Sequence, residues 1–255
     1  MELAVFQSDF AAIFRKNGLE RFCKPEILAQ FETFTRLFLA ENAKTNLSAI
    51  RTPREMIAKH YADCLLAESM IPNGASVLDV GCGGGFPCVP FAIVRPDLRI
   101  VAIDSTQKKI DFVKKAANEL KLANLQPLCG RIEAKEQAHF REQFDIVISR
   151  AVANLQVLAE ITLPFAKIGG ALLAMKGIKG SEELSEAANG IAKLGSALEI
   201  DREAMLWCPK IEAAASSDEI GDWEPETRHL LMIRKQKATP KEFPRAYAAI
   251  LKRPL

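Results

Sequence analysis

Histidine is scarce in this chain, and its cysteines fall in no recognisable pattern. The three histidines, His60, His139 and His229, are scattered, with no HxxxH or HExxH spacing. None of the six cysteines (Cys23, Cys64, Cys82, Cys88, Cys129 and Cys208) forms a CxxC pair. Metal ligands need clustered spacing, so neither a structural nor a catalytic metal is expected. The cysteines read as reduced core thiols of a reducing compartment. No apolar run reaches the length of about 18 residues that a membrane-spanning helix requires. The uncharged stretch Val80–Val94 is broken by glycines and prolines. The opening residues MELAVFQSDF lack a basic region and a small-residue cleavage site, so no signal peptide is expected and a cytoplasmic location follows.

What is present is enough for one full core plus an extension: 255 residues, 49% hydrophobic and 26% charged. The net charge of +2 hides an asymmetry. From Arg234 to Leu255 stand seven basic residues (Arg234, Lys235, Lys237, Lys241, Arg245, Lys252, Arg253) against one acid, Glu242. That segment carries +6 and leaves −4 for residues 1–233. A basic tail on a slightly acidic body is compatible with a polyanion partner, and equally with a solvated terminus.

Three regions are expected. Residues 1–72 read as a helical extension, with Leu28, Phe31, Phe34, Phe38 and Leu39 at helical spacing. Within it, Thr52-Pro53-Arg54-Glu55 is a helix start, with Thr as cap, Pro at the first helical position and Glu three residues after the cap. Residues 73–235 alternate strand and helix. Strands are predicted at Ser76–Val80, Arg99–Ile103, Leu125–Cys129, Phe144–Ser149, Ala171–Met175, Ala197–Leu206 and His229–Arg234. Ser105 is placed as the cap of a helix burying Ile110, Val113, Ala117 and Leu120, and Leu155–Ala166 as a helix ended by Gly169-Gly170. Pro209–Pro225 reads as a loop. The alternation implies an α/β fold with a doubly wound, mostly parallel sheet, and the last two strands imply an antiparallel edge hairpin. Residues 236–255, with three prolines among basic residues, read as an arm without packing of its own.

The sharpest signal is Leu78-Asp79-Val80-Gly81-Cys82-Gly83-Gly84-Gly85-Phe86-Pro87, between a strand and a helix. Gly81, Gly83 and Gly85 permit a sharp turn and a close ligand approach. A nicotinamide fingerprint, GxGxxG, would need glycine where the chain has Phe86. Asp79, two residues before the first glycine, would repel a pyrophosphate but attract the ammonium and sulfonium of S-adenosylmethionine. Asp104 closes the second predicted strand, where a carboxylate can accept hydrogen bonds from ribose hydroxyls of either cofactor. After the third strand, Ile132 beside Glu133 would suit an adenine ring, though Glu133 also reads as a surface acid.

Residues leaving the fourth strand face the donor pocket of such a sheet; here they are Ser149-Arg150-Ala151. An Asn/Asp-Pro-Pro-aromatic motif for amine methylation is absent there, and so is a Pro-Cys nucleophile. A cation at that place suits guanine N7, which holds a lone pair and no proton, so that positioning supplies most of the acceleration. Arg150 and Lys176, the latter after the fifth strand, are candidates for holding the guanine or a phosphate.

Taken together, these residues resemble the glucose-inhibited division protein B family, also called RsmG, of bacterial small-subunit ribosomal RNA guanine-N7 methyltransferases. The likeness runs from Asn46-Leu-Ser-Ala-Ile through Lys59-His60 and Asp63, and peaks at LDVGCGGGFPCVPFAIVRPD (78–97). It continues through Asp104-Ser105, Lys109, Gly130-Arg131, Ser149-Arg150-Ala151, Leu163-Pro164 and Met175-Lys176-Gly177 to Arg228-His229-Leu230. The resemblance implies a class I S-adenosylmethionine-dependent methyltransferase fold and 16S ribosomal RNA, or the small subunit, as partner. It also implies contacts to the cofactor from Gly81, Phe86, Ile132, Glu133 and Arg150, joined by Asp79, Asp104 and Ser105. Cys88 stands where the family usually has glycine, and the tail FPRAYAAILKRPL departs from the family's more basic, glycine-containing arm. A monomer is expected. The alternatives are a small-molecule methyltransferase, a catalytically silent nucleoside-binding ribosome-assembly factor and, more remotely, a nicotinamide oxidoreductase. Deleting the residues after Arg234 is expected to weaken RNA binding while sparing the cofactor.

Overall fold

The computed structural model describes residues 3–150, 152–210 and 220–255. Seven strands form one sheet: β1 (Ser76–Val80), β2 (Arg99–Asp104), β3 (Leu125–Cys129), β4 (Phe144–Arg150), β5 (Ala166–Lys176), β6 (Ser196–Pro209) and β7 (Trp223–Lys235). Their order is β3-β2-β1-β4-β5-β7-β6. The first five strands are parallel, and β7 runs antiparallel to both of its neighbours. This is the predicted doubly wound sheet with an antiparallel edge pair.

Successive side chains leave opposite faces of a strand, and both faces here are covered. Val77, Ile100, Ile146 and Leu173 join one core; Leu78, Ile103, Val147 and Leu172 join the other. The first core is shared with α1 (Leu3–Lys16), α2 (Pro25–Thr45) and α3, a continuous helical stretch of Pro53–Glu55, a π-helical Met56–Ala62 and Asp63–Leu65. It also takes in α4 (Cys88–Val94) and α5 (Gln107–Glu119). The second core lies under α6 (Leu155–Thr162), α7 (Gly180–Lys193) and the C-terminal α8 (Tyr247–Lys252). A chain of rings ties the extension to the glycine loop: Phe34 and Phe38 lie 5.5 and 5.2 Å from Phe86, centroid to centroid. Thr52 caps α3 as predicted, accepting from Glu55 N at 3.3 Å.

Several expectations are corrected. Helix α5 begins at Gln107 with Thr106 at its cap, because the Asp104 carboxylate takes the Thr106 N–H at 2.8 Å; Ser105 makes no cap. Helix α6 stops at Thr162, since Pro164 has no N–H for a further turn, and Gly169-Gly170 lie inside β5. A Cβ on Gly170 would come within 2.8 Å of the Asp145 carbonyl oxygen, so glycine serves a close strand approach there and does not end a helix. The edge strands extend well beyond their predicted limits. Pro225 pairs with Trp207, past the last β5–β7 pair at Lys176–His229, where no third strand needs its missing N–H. Of the predicted 209–225 loop, residues 211–219 lie outside the described residues. Helix α7 occupies a stretch to which the sequence assigned no element.

Residues 236–255 are packed, contrary to the reading of an arm. Phe243 and Ile250 are buried in the second core, and Arg245 forms a bidentate pair with buried Glu160 of α6 at 2.7 and 2.6 Å. Lys235, fully buried, pairs with Glu142 at 2.9 Å, and Arg234 pairs with Glu199 at 2.5 Å. Apolar and ionic anchoring together outweigh the prolines and the net charge that suggested a solvated tail.

Candidate functional site

The C-terminal ends of β1 to β4 open into a cleft of about 430 Å³. Gly81, at φ +76°, turns the chain so that its N–H and that of Cys82 both donate to the Ile103 carbonyl oxygen, at 2.8 and 3.1 Å. A Cβ at Gly81 would sit 2.5 Å from Val152 Cγ2, and one at Gly85, φ +98°, 2.8 Å from Val89 Cγ2. The turn therefore needs glycine for conformation and for space. Asp104, at the end of the neighbouring strand β2, holds the loop, its Oδ2 accepting from Gly83 N at 3.0 Å.

Of the predicted cofactor residues, Gly81, Gly83, Phe86, Asp104, Ser105, Ile132, Glu133 and Arg150 line this cleft together. Asp79 and Gly85 do not line it. Asp79 lies fully buried behind the loop, where its Oδ2 accepts from Cys88 N at 3.0 Å. Its Oδ1 is buried and finds no hydrogen-bond partner among the described residues. Burial pushes its pKa up to about 7 against the pull of the Cys88 N–H, the Cys88 thiol and Arg150. Cys88 thus stands behind the loop beside Asp79, its own thiol pushed well up by burial. Lys176 is not in the cleft. It lines an adjoining cavity of about 560 Å³ that shares Arg150 and Val152 with it.

The extension supplies a wall that sequence reasoning named without a role. His60, from the π-helical turn of α3, stacks on Phe86 at 4.0 Å and 22°. Arg150 lies over the same Phe86 ring at 5.5 Å and donates through Nη2 to His60 Nδ1 at 2.9 Å. A guanidinium has no acceptor, so Nδ1 must be unprotonated and Nε2 carries the hydrogen toward Ser48 Oγ, 3.1 Å away. Burial, then the Arg150 charge, hold the His60 pKa down to about 3, so the ring is neutral near pH 7.

The second cavity is built from charges. Asp63 accepts from Arg150 Nη1 at 2.8 Å through one oxygen and from Arg228 Nε at 2.7 Å through the other. Arg228 also donates to Glu226 at 2.7 Å. Lys176 pairs with Glu183 at 2.6 Å and donates to the Ala153 carbonyl oxygen. Asp63, Arg228 and Glu183 carried no assigned role in the sequence; the partners of Asp63 stand 87 and 165 positions away. Ala151, of the predicted Ser149-Arg150-Ala151 exit, lies outside the described residues. Among the described residues no group of His, Cys, Asp and Glu is placed to hold a metal ion, and no helix is long and apolar enough to cross a membrane.

The residues fit S-adenosylmethionine. The glycine turn leaves room where a Cβ would intrude, Asp104 presents a carboxylate at the end of β2, and the buried Asp79 has an unpartnered oxygen behind the loop that favours a cationic ligand.

Comparison with known proteins agrees. Residues 27–201 match the family described as rRNA small subunit methyltransferase G. The ribosomal RNA small subunit methyltransferase G of Lachnoclostridium phytofermentans is 41% identical over 233 residues, 89% of each chain. That of Moorella thermoacetica is 37% identical over 248 residues, 96% of each chain. Among solved structures, a SAM dependent methyltransferase from Aquifex aeolicus matches in fold with a TM-score of 0.51 at 16% identity, over 74% of this chain and 97% of that one. With the fold of the class I S-adenosylmethionine-dependent methyltransferases and nine-tenths of its length aligned to these relatives, the chain belongs to the rRNA small subunit methyltransferase G family.

Proposed function

We propose that this protein is a cytoplasmic enzyme that transfers a methyl group from S-adenosylmethionine to N7 of a guanosine in small-subunit (16S) ribosomal RNA. One observation supports the choice of acceptor: among the described residues the second cavity holds no free base. Its two carboxylates, Asp63 and Glu183, are each tied to a cation, and neighbouring His60 is neutral with its Nδ1 engaged by Arg150. An amine or a hydroxyl acceptor must lose a proton; guanine N7 attacks with a lone pair and has none to lose. Such a site has only to desolvate the base and hold it in line.

When bound, S-adenosylmethionine supplies an electrophilic methyl group on a sulfonium. Gly81 and Gly83 would bring the main chain close to it, and Asp104 would accept from the ribose hydroxyls. Ser105, Ile132 and Glu133 would hold the adenine, with Phe86 and Arg150 at the opposite end. Asp79 acts from behind the loop as a positioning residue, and its ionised form favours the cationic donor. Arg150, shared by the two cavities, orients their common wall; Lys176, held by Glu183 and Ala153, presents positive charge to the acceptor.

The test is methyl transfer in vitro from isotopically labelled S-adenosylmethionine to 16S ribosomal RNA and to small subunits, followed by nucleoside digestion. Label in 7-methylguanosine is expected. Label in any other nucleoside would refute the acceptor, and no label with either substrate would refute the activity.

A further inference from the structure

The C-terminal segment reaches the donor cleft. Tyr247, the first residue of α8, lines it together with Ile132 and Glu133, and the Arg131 guanidinium lies over the Tyr247 ring at 4.9 Å. In the sheet order β3-β2-β1-β4, the Gly130–Glu133 turn follows β3 and Arg150 closes β4. Tyr247 therefore stands at the end of the cleft away from Arg150, beyond the Asp104 carboxylate. The ring is half-buried, and the segment behind it is firmly held. Arg245 N adds a third bond to Glu160, at 3.0 Å, beside the bidentate pair. Arg141 donates to the carbonyl oxygens of Phe243 and Thr239, both at 2.6 Å, and Leu255 packs against Gly190, where a Cβ would have no room.

We propose that Tyr247 is a donor-binding residue, its ring forming the outer wall of the nucleoside end of the cleft. The inference rests on the S-adenosylmethionine reading above. An aromatic ring paired with a guanidinium, both lining the cleft, is suited to a purine, because stacking and cation–π attraction act on any π-face without needing a hydrogen-bond match. No spacing rule draws Tyr247 to the cleft: it stands 166 positions beyond Gly81 and outside the residues 27–201 that match the family. It follows that the segment after Arg234 belongs to the donor site, and the expectation that its removal spares the cofactor is replaced by the opposite one.

The test uses the full chain with Tyr247→Ala, Tyr247→Leu and Tyr247→Phe. Calorimetry is run with S-adenosylhomocysteine and with 5′-methylthioadenosine, which keeps the nucleoside but lacks the amino-acid arm. Melting without ligand checks the fold. Ala and Leu are expected to weaken both ligands by about tenfold with an unchanged melting temperature, and Phe to stay within about twofold. Unchanged affinity in Tyr247→Ala, or a loss confined to S-adenosylhomocysteine, would overturn the assignment. Amide hydrogen exchange in the unaltered protein gives a second reading: residues 245–253 should slow when S-adenosylhomocysteine binds, and no change would also overturn it. Should the unaltered protein bind neither ligand, the donor reading itself falls, which separates the two failures.

Discussion

The two cavities that meet at Arg150 are made of different materials. The first cleft is formed largely by main chain: Gly81, Gly83 and Gly85 at positive φ, with the Gly81 and Gly83 N–H groups engaged by Ile103 and Asp104 and few charges at the turn itself. The second cavity, where we place the acceptor, is formed by charged side chains collected from five separate stretches, at Asp63, Arg150, Lys176, Glu183 and Arg228. The Asp63–Arg150 and Asp63–Arg228 pairs join residues 87 and 165 positions apart. A main-chain site depends on local conformation and empty space. A charge-built site depends on partners, so losing one strands the others in a poorly solvated place.

The largest effect should come from breaking the second kind of site. Asp63→Ala leaves two largely buried arginines without their shared carboxylate and should cost about 3–5 kcal/mol, read by urea unfolding. A loss below about 1 kcal/mol would mean that the network adds little stability and that the contrast between the cavities is superficial. Next is Gly81→Ala, which forces a Cβ into a left-handed turn and against Val152. Affinity for S-adenosylhomocysteine should fall about thirtyfold with little loss of global stability, and Val152→Ala in the same chain should restore part of it. An absence of rescue would leave backbone strain, and not space, as the cause.

The smallest effect is in pH dependence, where two buried groups beside the first cleft have opposite signs. His60, with its folded pKa lowered to about 3, contributes stability that is whole above its unfolded value near 6.5 and is lost as pH falls toward 3. Asp79, raised to about 7, contributes stability that is whole below its unfolded value near 3.8 and is lost as pH rises through 7. Asp79→Asn should therefore gain on the unaltered protein between pH 6 and pH 8, by about 2–4 °C in melting temperature. His60→Gln should instead lose less than the unaltered protein between pH 6.5 and pH 4. A constant difference across either window would show that the group does not titrate there.

The same contrast explains what could be read early. The strand Ser76–Val80 emerges at its predicted limits because a central parallel strand buried on both faces is a largely apolar run with sharp ends. The glycine turn and Asp104 were visible because their requirements are local. Helix α7 escaped notice, since its sequence GSEELSEAANGIAK is mostly polar and buries little more than Ala187, Gly190 and Ile191. His60 and Tyr247 were out of reach for a different reason: their places beside Phe86 and Arg131 follow from how the extension and the C-terminal segment dock.

Local chemistry written in the residue order was sufficient for the sheet, the donor turn and the family, because periodicity, glycine conformation and strand ends act over a few neighbouring positions. Which charges neutralise one another, which histidine stays neutral, and whether a basic, proline-containing tail hangs free or closes a cleft were decided by the folded chain. Those outcomes depend on burial and on distances between residues far apart in sequence, and neither quantity exists until the cores have formed.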